Sequence, residues 1–288
     1  MTGLGRTSAE LVLSLPGHSG VGVALGWGAA TDTGKRRAHN EDSFLAESPV
    51  FAIADGMGGH AAGDVASAAV VTRLASVIDG DFGDSDAISL ALTEATADIA
   101  EAEDERRLGV GTTATGAVLS RGGDEAFWTV FNVGDSRVYL FENNELAQVS
   151  VDHSVVQELV AAGLISAEDA ERHPESNVIT RAVGFNSAPR PDFWLIPVRR
   201  GSRLLICSDG LTKEVDDEHI RLHLAAGLTP LETAQALVDA ALASGGRDNV
   251  TTIVVDVIEA SEPIEIEQTV PRPAVAGGDP RKGDKTPG

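Results

Sequence analysis

Leu204-Leu205-Ile206-Cys207-Ser208-Asp209-Gly210 is an apolar run that ends on an aspartate and a glycine. The same design stands at Val50-Phe51-Ala52-Ile53-Ala54-Asp55-Gly56, and a variant at Phe131-Asn132-Val133-Gly134-Asp135-Ser136. A fourth carboxylate, Asp248, precedes Asn249 at the entry to the last apolar run, Val250 to Val257. Short apolar runs bounded by turn residues read as buried strands. One strand-end Asp is an ordinary turn residue. Several gathered at one edge of a sheet repel one another unless a cation binds between them. Carboxylate and carbonyl oxygens select hard ions, Mg²⁺ or Mn²⁺. Glycine beside each Asp leaves room for close approach. The runs therefore predict a sheet scaffold and an oxygen-ligated metal site together.

Further strands are expected at Phe127 to Val133, Arg137 to Phe141, Ala147 to Val149 and Thr251 to Val257. Between two of them, Asn143 and Asn144 supply a turn whose backbone tolerates unusual torsion angles. Helical spacing appears over Ala61 to Ile78 and over Asp86 to Glu105, where Ile88, Leu92, Ala95 and Ile99 share one stripe. Thr229-Pro230-Leu231-Glu232 is a capping box with proline at the first helical position, opening a helix to Ala243. Hairpin-linked strands with separate helix pairs predict an α+β sandwich of sheets and helices, not a doubly wound parallel fold.

The 288 residues suit one large or two small domains, and 42% hydrophobic residues suffice for a substantial core. Only 4% are aromatic, so Ala, Val, Leu and Ile must build most of it. With 22 basic and 44 acidic residues the net charge is −22. That excludes general nucleic-acid binding and docking on anionic lipid. One cysteine, Cys207, allows no disulfide within the chain and fits a cytoplasmic setting. Leu11 to Thr31 is uncharged and long enough to span a bilayer, but Pro16, His18 and five glycines argue against a span. Residues 1–21 are expected to form a weakly structured N-terminal arm and residues 22–258 one domain. The Pro-, Gly- and charge-rich residues 259–288 read as a disordered tail.

Lys35-Arg36-Arg37 stands just before Glu41-Asp42, with three residues between. A basic run in so acidic a chain can hold an anion, such as phosphate, beside a metal-binding carboxylate. Eight short motifs now occur in order. They are Arg37-x-x-Asn40-Glu41-Asp42-x-Phe44, Asp55-Gly56-Met57-Gly58-Gly59-His60, Gly111-Thr112-Thr113-Ala114 and Val133-Gly134-Asp135-Ser136-Arg137. They continue with Asp152-His153-Ser154, Ile179-Thr180-Arg181-Ala182-Val183-Gly184, Ser208-Asp209-Gly210-Leu211-Thr212 and Arg247-Asp248-Asn249-Val250-Thr251. From about Trp27 to Ile258 the chain resembles the bacterial branch of the PP2C (PPM) metal-dependent protein serine/threonine phosphatases.

The resemblance implies a four-layer αββα sandwich, two antiparallel sheets flanked by helix pairs, with two Mn²⁺ or Mg²⁺ ions at the sheet edge. Asp55 would bridge the ions. Glu41 and the Gly56 carbonyl would help hold one, and Asp209 and Asp248 the other. Asp135 with Asp209 would form a weaker third position. Asp42 would support the ligands, Asn249 would orient the site, and Arg37 would take the substrate phosphate. The reaction implied is hydrolysis of phosphoserine and phosphothreonine in proteins by a metal-activated water, reversing a Ser/Thr protein kinase, in a monomer. A PP2C-fold phosphoprotein-binding or sensor module with weak turnover is the alternative. Three departures or open points remain. Met57 follows Gly56, so His60, a bound water, or a loop-organising role for His60 all stand open for the general acid. Lys213 occupies a place where some relatives carry another acid, and the third position would be weak. Val151 to Gly184 resembles the family's flap, with a helix over Ser154 to Ala162 and His153 as a structural hydrogen-bonding residue.

Overall fold

The computed structural model describes residues 1–15, 22–58, 62–102, 109–185 and 188–261. The tail beyond residue 261, and His60, lie outside the described residues. The chain runs β1 (Gly3–Gly5), β2 (Ser8–Leu13), β3 (Val23–Asp32), β4 (Asp42–Glu47), β5 (Val50–Met57), α1 (Gly63–Ser76), α2 (Ser85–Ala102), β6 (Gly111–Thr112), β7 (Ala114–Gly122) and β8 (Glu125–Val133). It continues through β9 (Arg137–Glu142), β10 (Glu145–Gln148), α3 (Val155–Ala161), α4 (Ala167–Glu171), β11 (Asp192–Pro197), β12 (Arg203–Cys207), α5 (Asp209–Thr212), α6 (Asp217–Leu224), α7 (Pro230–Ser244) and β13 (Val250–Ala260).

Two sheets result. One has the order β1-β4-β5-β7-β8-β11, with β6 paired to β5; the other has the order β10-β9-β12-β13-β3-β2. Pairing is antiparallel, except that β1 runs parallel to β4. Alternation along β5 explains the layering. Val50, Ala52 and Ala54 pack with α1 and α2, while Phe51 and Ile53 face the second sheet. In β12, Leu204 and Ile206 face inward, and Leu205 and Cys207 pack with α5, α6 and α7. Strands buried on both faces read as continuous apolar runs, which is why the sequence shows them so clearly. Phe51 sits edge-on between Trp27 and Trp128 at 5.3 and 6.0 Å between ring centroids, at the centre of the inter-sheet core.

The expected stripe on α2 is buried, with Ile88, Leu92, Ala95 and Ile99 against the core. The capping box forms on α7, where Thr229 N donates to Glu232 Oε2 at 3.0 Å and Glu232 N to Thr229 Oγ1 at 3.3 Å. Asn143 and Asn144 adopt φ of 52° and 65°, the left-handed pair of a tight hairpin.

The N-terminal arm differs from expectation. It supplies an edge strand to each sheet, β1 beside β4 and β2 beside β3. Between them, the Trp27 indole N–H donates to the Arg6 carbonyl at 2.6 Å and the Ala46 carbonyl at 3.0 Å, stitching the sheets together. Within the uncharged stretch, residues 11–13 and 23–31 are strand, and residues 16–21 lie outside the described residues. Among the described residues no helix is long and apolar enough to cross a membrane. The last strand extends to Ala260, two residues past the expected boundary.

Candidate metal centre

Because β4 and β5 pair antiparallel, Asp42 lies directly opposite Asp55. Asp55 follows Phe51 and Ile53 on the inward face, so both carboxylates come to the mouth between the sheets. Asp209 starts α5 just past β12, and Asp248 just precedes β13, strands paired in the second sheet. The topology alone therefore brings four strand-end aspartates to one end of the sandwich. Asp135, in the β8–β9 turn, joins them: Asp55 lies in the fields of Asp42, Asp209, Asp135 and Asp248.

Hydroxyls and amides hold the cluster. Ser208 and Thr251, in the second sheet, donate to Asp42 Oδ2 at 2.9 and 2.6 Å, so Asp42 ties the two sheets together. Asn249 accepts from the Glu41 N–H at 2.9 Å and donates to the carbonyls of Thr33 and His39 at 2.8 and 3.0 Å. The backbone of Asp55 is gripped by the Gly111-Thr112-Thr113 motif. Asp55 N donates to Thr113 Oγ1, and its carbonyl accepts from Thr113 N and Thr112 Oγ1, all at 2.9 Å. Glycines permit the crowding. A Cβ on Gly56 would lie 2.1 Å from the Gly63 carbonyl oxygen, and one on Gly210 would lie 1.9 Å from that of Asn249.

The electrostatics are strained in the way a cation would relieve. Burial pushes the Asp42 carboxyl up to about 7; its bonds to Thr251 and Ser208 oppose this, and Asp209 and Asp248 add to it. Burial and repulsion from Asp209 take Asp135 to about 7, with Lys213 pulling back. Burial, then Asp42, Asp209, Asp135 and Asp248, holds Asp55 well above the carboxylate range. Asp42 Oδ1 and Asp209 Oδ1 are buried with no hydrogen-bond donor among the described residues. Bare buried carboxylate oxygens are costly, and an all-oxygen donor set suits Mg²⁺ or Mn²⁺. The residues present therefore fit a hard divalent ion.

Two side chains already compensate part of this charge. Arg37 forks onto Asp248, with Nε–Oδ1 and Nη2–Oδ2 both at 2.8 Å, while its side chain stays half exposed. Lys213 ion-pairs with Asp209. Among the described residues, no three His, Cys, Asp or Glu groups close on a single coordination point, consistent with two carboxylates being held on these cations. Arg37, expected as a phosphate ligand, thus rests on an expected metal ligand.

Sequence reasoning named the aspartates but missed Ser208 and Thr251 as the bonds to Asp42, and Thr112 and Thr113 as the grip on Asp55. Single hydroxyls on separate strands carry no local signal; the motif Gly111-Thr112-Thr113 was visible without its purpose. His153 behaves as expected of a structural residue. Its Nδ1 accepts from the Gly134 N–H at 3.2 Å, and its Nε2 lies 3.0 Å from Asp192. The flap helix α3 starts behind Ser154, whose hydroxyl accepts from Gln157 N. Cys207 is buried, and burial pushes its thiol up to about 12, so it is no nucleophile at neutral pH.

The structure is thus a two-sheet sandwich with an oxygen-rich acidic centre at its edge. The family model for protein phosphatase 2C matches residues 33–244, and the chain belongs to that family. It is similar to the serine/threonine protein phosphatase PstP of Mycobacterium tuberculosis, 41% identical over 83% of this chain, and spans about half of that protein's length, 46%. It is 36% identical to the serine/threonine phosphatase Stp of Listeria monocytogenes over 78% of this chain and 93% of Stp. The crystal structure of the PstP catalytic domain in complex with two manganese ions superposes with a TM-score of 0.72 at 36% identity, covering 82% of this chain and 99% of that one.

Proposed function

We propose that this chain hydrolyses phosphoserine and phosphothreonine in proteins with the help of two divalent ions, Mn²⁺ or Mg²⁺. The observation that carries the reading is the acidic cluster with two bare buried oxygens, at the sheet edge of a protein phosphatase 2C fold. Asp55, Glu41 and the Gly56 carbonyl would hold one ion; Asp55, Asp209 and Asp248 would hold the other. When bound, the ions supply positive charge for the phosphoryl oxygens and a water acidic enough to yield hydroxide near neutral pH. The two manganese ions of the PstP structure support this assignment by kinship.

The chain's own residues do the positioning. Phosphoryl transfer through a loose transition state depends on placement and charge more than on covalent chemistry. Arg37 has the planar fork that binds phosphate oxygens two at a time, and its half-exposed side chain can turn from Asp248 toward an incoming phosphate. Asp42 holds the sheet ends at a fixed spacing through Ser208 and Thr251. Asn249 fixes the backbone at Glu41. His60, which falls between β5 and α1 in the sequence and outside the described residues, is a candidate proton donor to the leaving oxygen on sequence grounds alone, beside a bound water. Phosphoserine and phosphothreonine are products of protein kinases, so a Ser/Thr kinase must supply the substrate. A cytoplasmic setting, which the single buried cysteine supports, and a monomeric state complete the proposal.

The test is phosphate release from phosphothreonine and phosphoserine peptides with Mn²⁺, with Mg²⁺ and with chelator. Release that needs metal and is lost in Asp209→Ala supports the reading. No release by folded protein at saturating Mn²⁺ would replace it with the non-catalytic module.

A further inference from the structure

Lys213 stands among the site's carboxylates. It caps the single turn of α5, and its own N–H donates to the Asp209 carbonyl at 2.9 Å. The i to i+4 spacing brings the side chain back over Asp209, where Nζ bonds Oδ2. The side chain is 35% exposed, against 70% for Arg247, which pairs with the neighbouring Glu214. Lys213 also lies in the fields of Asp135 and Asp248, and Asp135 in turn lies in the field of Lys213. The adjacent acid does not compete for this place. Glu214 is turned away and buried, accepting from Arg247 N at 3.0 Å and Arg247 Nε at 2.8 Å. Sequence and fold together thus put one cation, Lys213, on the Asp135–Asp209 side of the cluster, where the Asp152 carboxylate also acts on Asp135.

We infer that the Lys213 ammonium is a resident cation of the Asp135–Asp209 side, competing there with a divalent ion and limiting the chain to two tightly held ions. This rests on the two-metal reading above. An ammonium and a divalent ion cannot share Asp209 Oδ2 at contact distance, since like charges repel in a site of low polarity. An ion that engages Asp135 and Asp209 Oδ2 together must first displace Lys213. Asp209 Oδ1 stays without a hydrogen-bond donor among the described residues and is left to a second ion. Lys213 would therefore lower affinity at one position and leave the others alone.

The test counts bound Mn²⁺ on the full chain, using the electron paramagnetic resonance of free Mn²⁺ together with titration calorimetry. Wild type should hold two ions tightly. Lys213→Met and Lys213→Gln should bind one further ion, or hold the weakest ion at least tenfold more tightly. Lys213→Arg, which keeps the charge, should match wild type. Adding Asp135→Asn to Lys213→Met should abolish the gain. Thermal melts identify any variant that fails to fold, and either neutral variant alone suffices. Equal stoichiometry and affinity in wild type and a folded neutral variant would overturn the inference while leaving the two-metal reading intact. A wild type that binds no Mn²⁺ would overturn both.

Discussion

Asp42 is wholly buried, yet only one of its oxygens is hydrogen-bonded. Burial pushes its carboxyl up to about 7 in the folded chain, from 3.8 ordinarily. Between those values the unfolded chain has released the proton and the folded chain has not, so unfolding becomes easier as pH rises. In chelator, the melting temperature should therefore fall as pH rises from about 4 to about 7, with Asp135 contributing in the same direction. Asp42→Asn should flatten that slope, and saturating Mn²⁺ should reverse it. Glu214, held below the usual range by its bonds from Arg247, acts only at lower pH. Arg37 offers a second residue-scale prediction. Arg37→Ala should slow phosphopeptide hydrolysis about 10- to 100-fold, in line with about 1.5–3 kcal/mol for a charged hydrogen bond, without weakening Mn²⁺ binding, because Asp248 is freed. Steady-state kinetics beside metal titration checks both halves. At this scale the sequence was readable where residues share a local pattern: a strand, an Asp, a Gly. It was silent on the Asp42–Ser208–Thr251 bonds, which join positions 166 and 209 residues apart.

Elements place these residues by close contact. The start of α5 abuts the start of β13, with Gly210 against the Asn249 carbonyl. Gly210→Ala would force these two backbones apart and separate Asp209 from Asp248. Overpacking of this kind costs about 1–3 kcal/mol, so the expected outcome is a lower melting temperature together with weakened Mn²⁺ affinity, measured by calorimetry. Long elements with strong periodicity, α2 and α7, were legible, as were the doubly buried strands β5, β12 and β13. The edge strands β1 and β2 were not. Gly3–Gly5 is short and glycine-flanked, and Ser8–Leu13 is mostly exposed. They are strands because the rims of β4 and β3 offer unpaired backbone groups, which is tertiary information. The Ala- and Gly-rich strand β7 lacked a hydrophobic signature for a related reason. Its glycine at 116 lets it lie against Phe51 and Phe131, where a Cβ would come within 2.9 Å of each neighbour.

The whole molecule is a frame for one acidic end. Three apolar layers, one between the sheets and one under each helix set, hold strands from both sheets at fixed spacing. Phe51, between Trp27 and Trp128, is the keystone of the middle layer. Phe51→Ala should destabilise the chain by about 3–5 kcal/mol, read by denaturant unfolding, and should loosen the metal centre through β5. The sandwich was legible from hairpins and helix pairs, and its four-layer order from the family resemblance. The collapse of Arg37 and Lys213 onto the cluster was not, since it depends on where two sheets meet. On the proposed function, Asp55, Glu41, Asp209 and Asp248 would together hold two divalent ions. Anomalous diffraction from crystals grown with Mn²⁺ tests it most directly. Two manganese peaks are predicted at the mouth between the sheets, with Asp55 contacting both and Asp209 and Asp248 on one. Peaks elsewhere, or none in this cluster at saturating Mn²⁺, would contradict it.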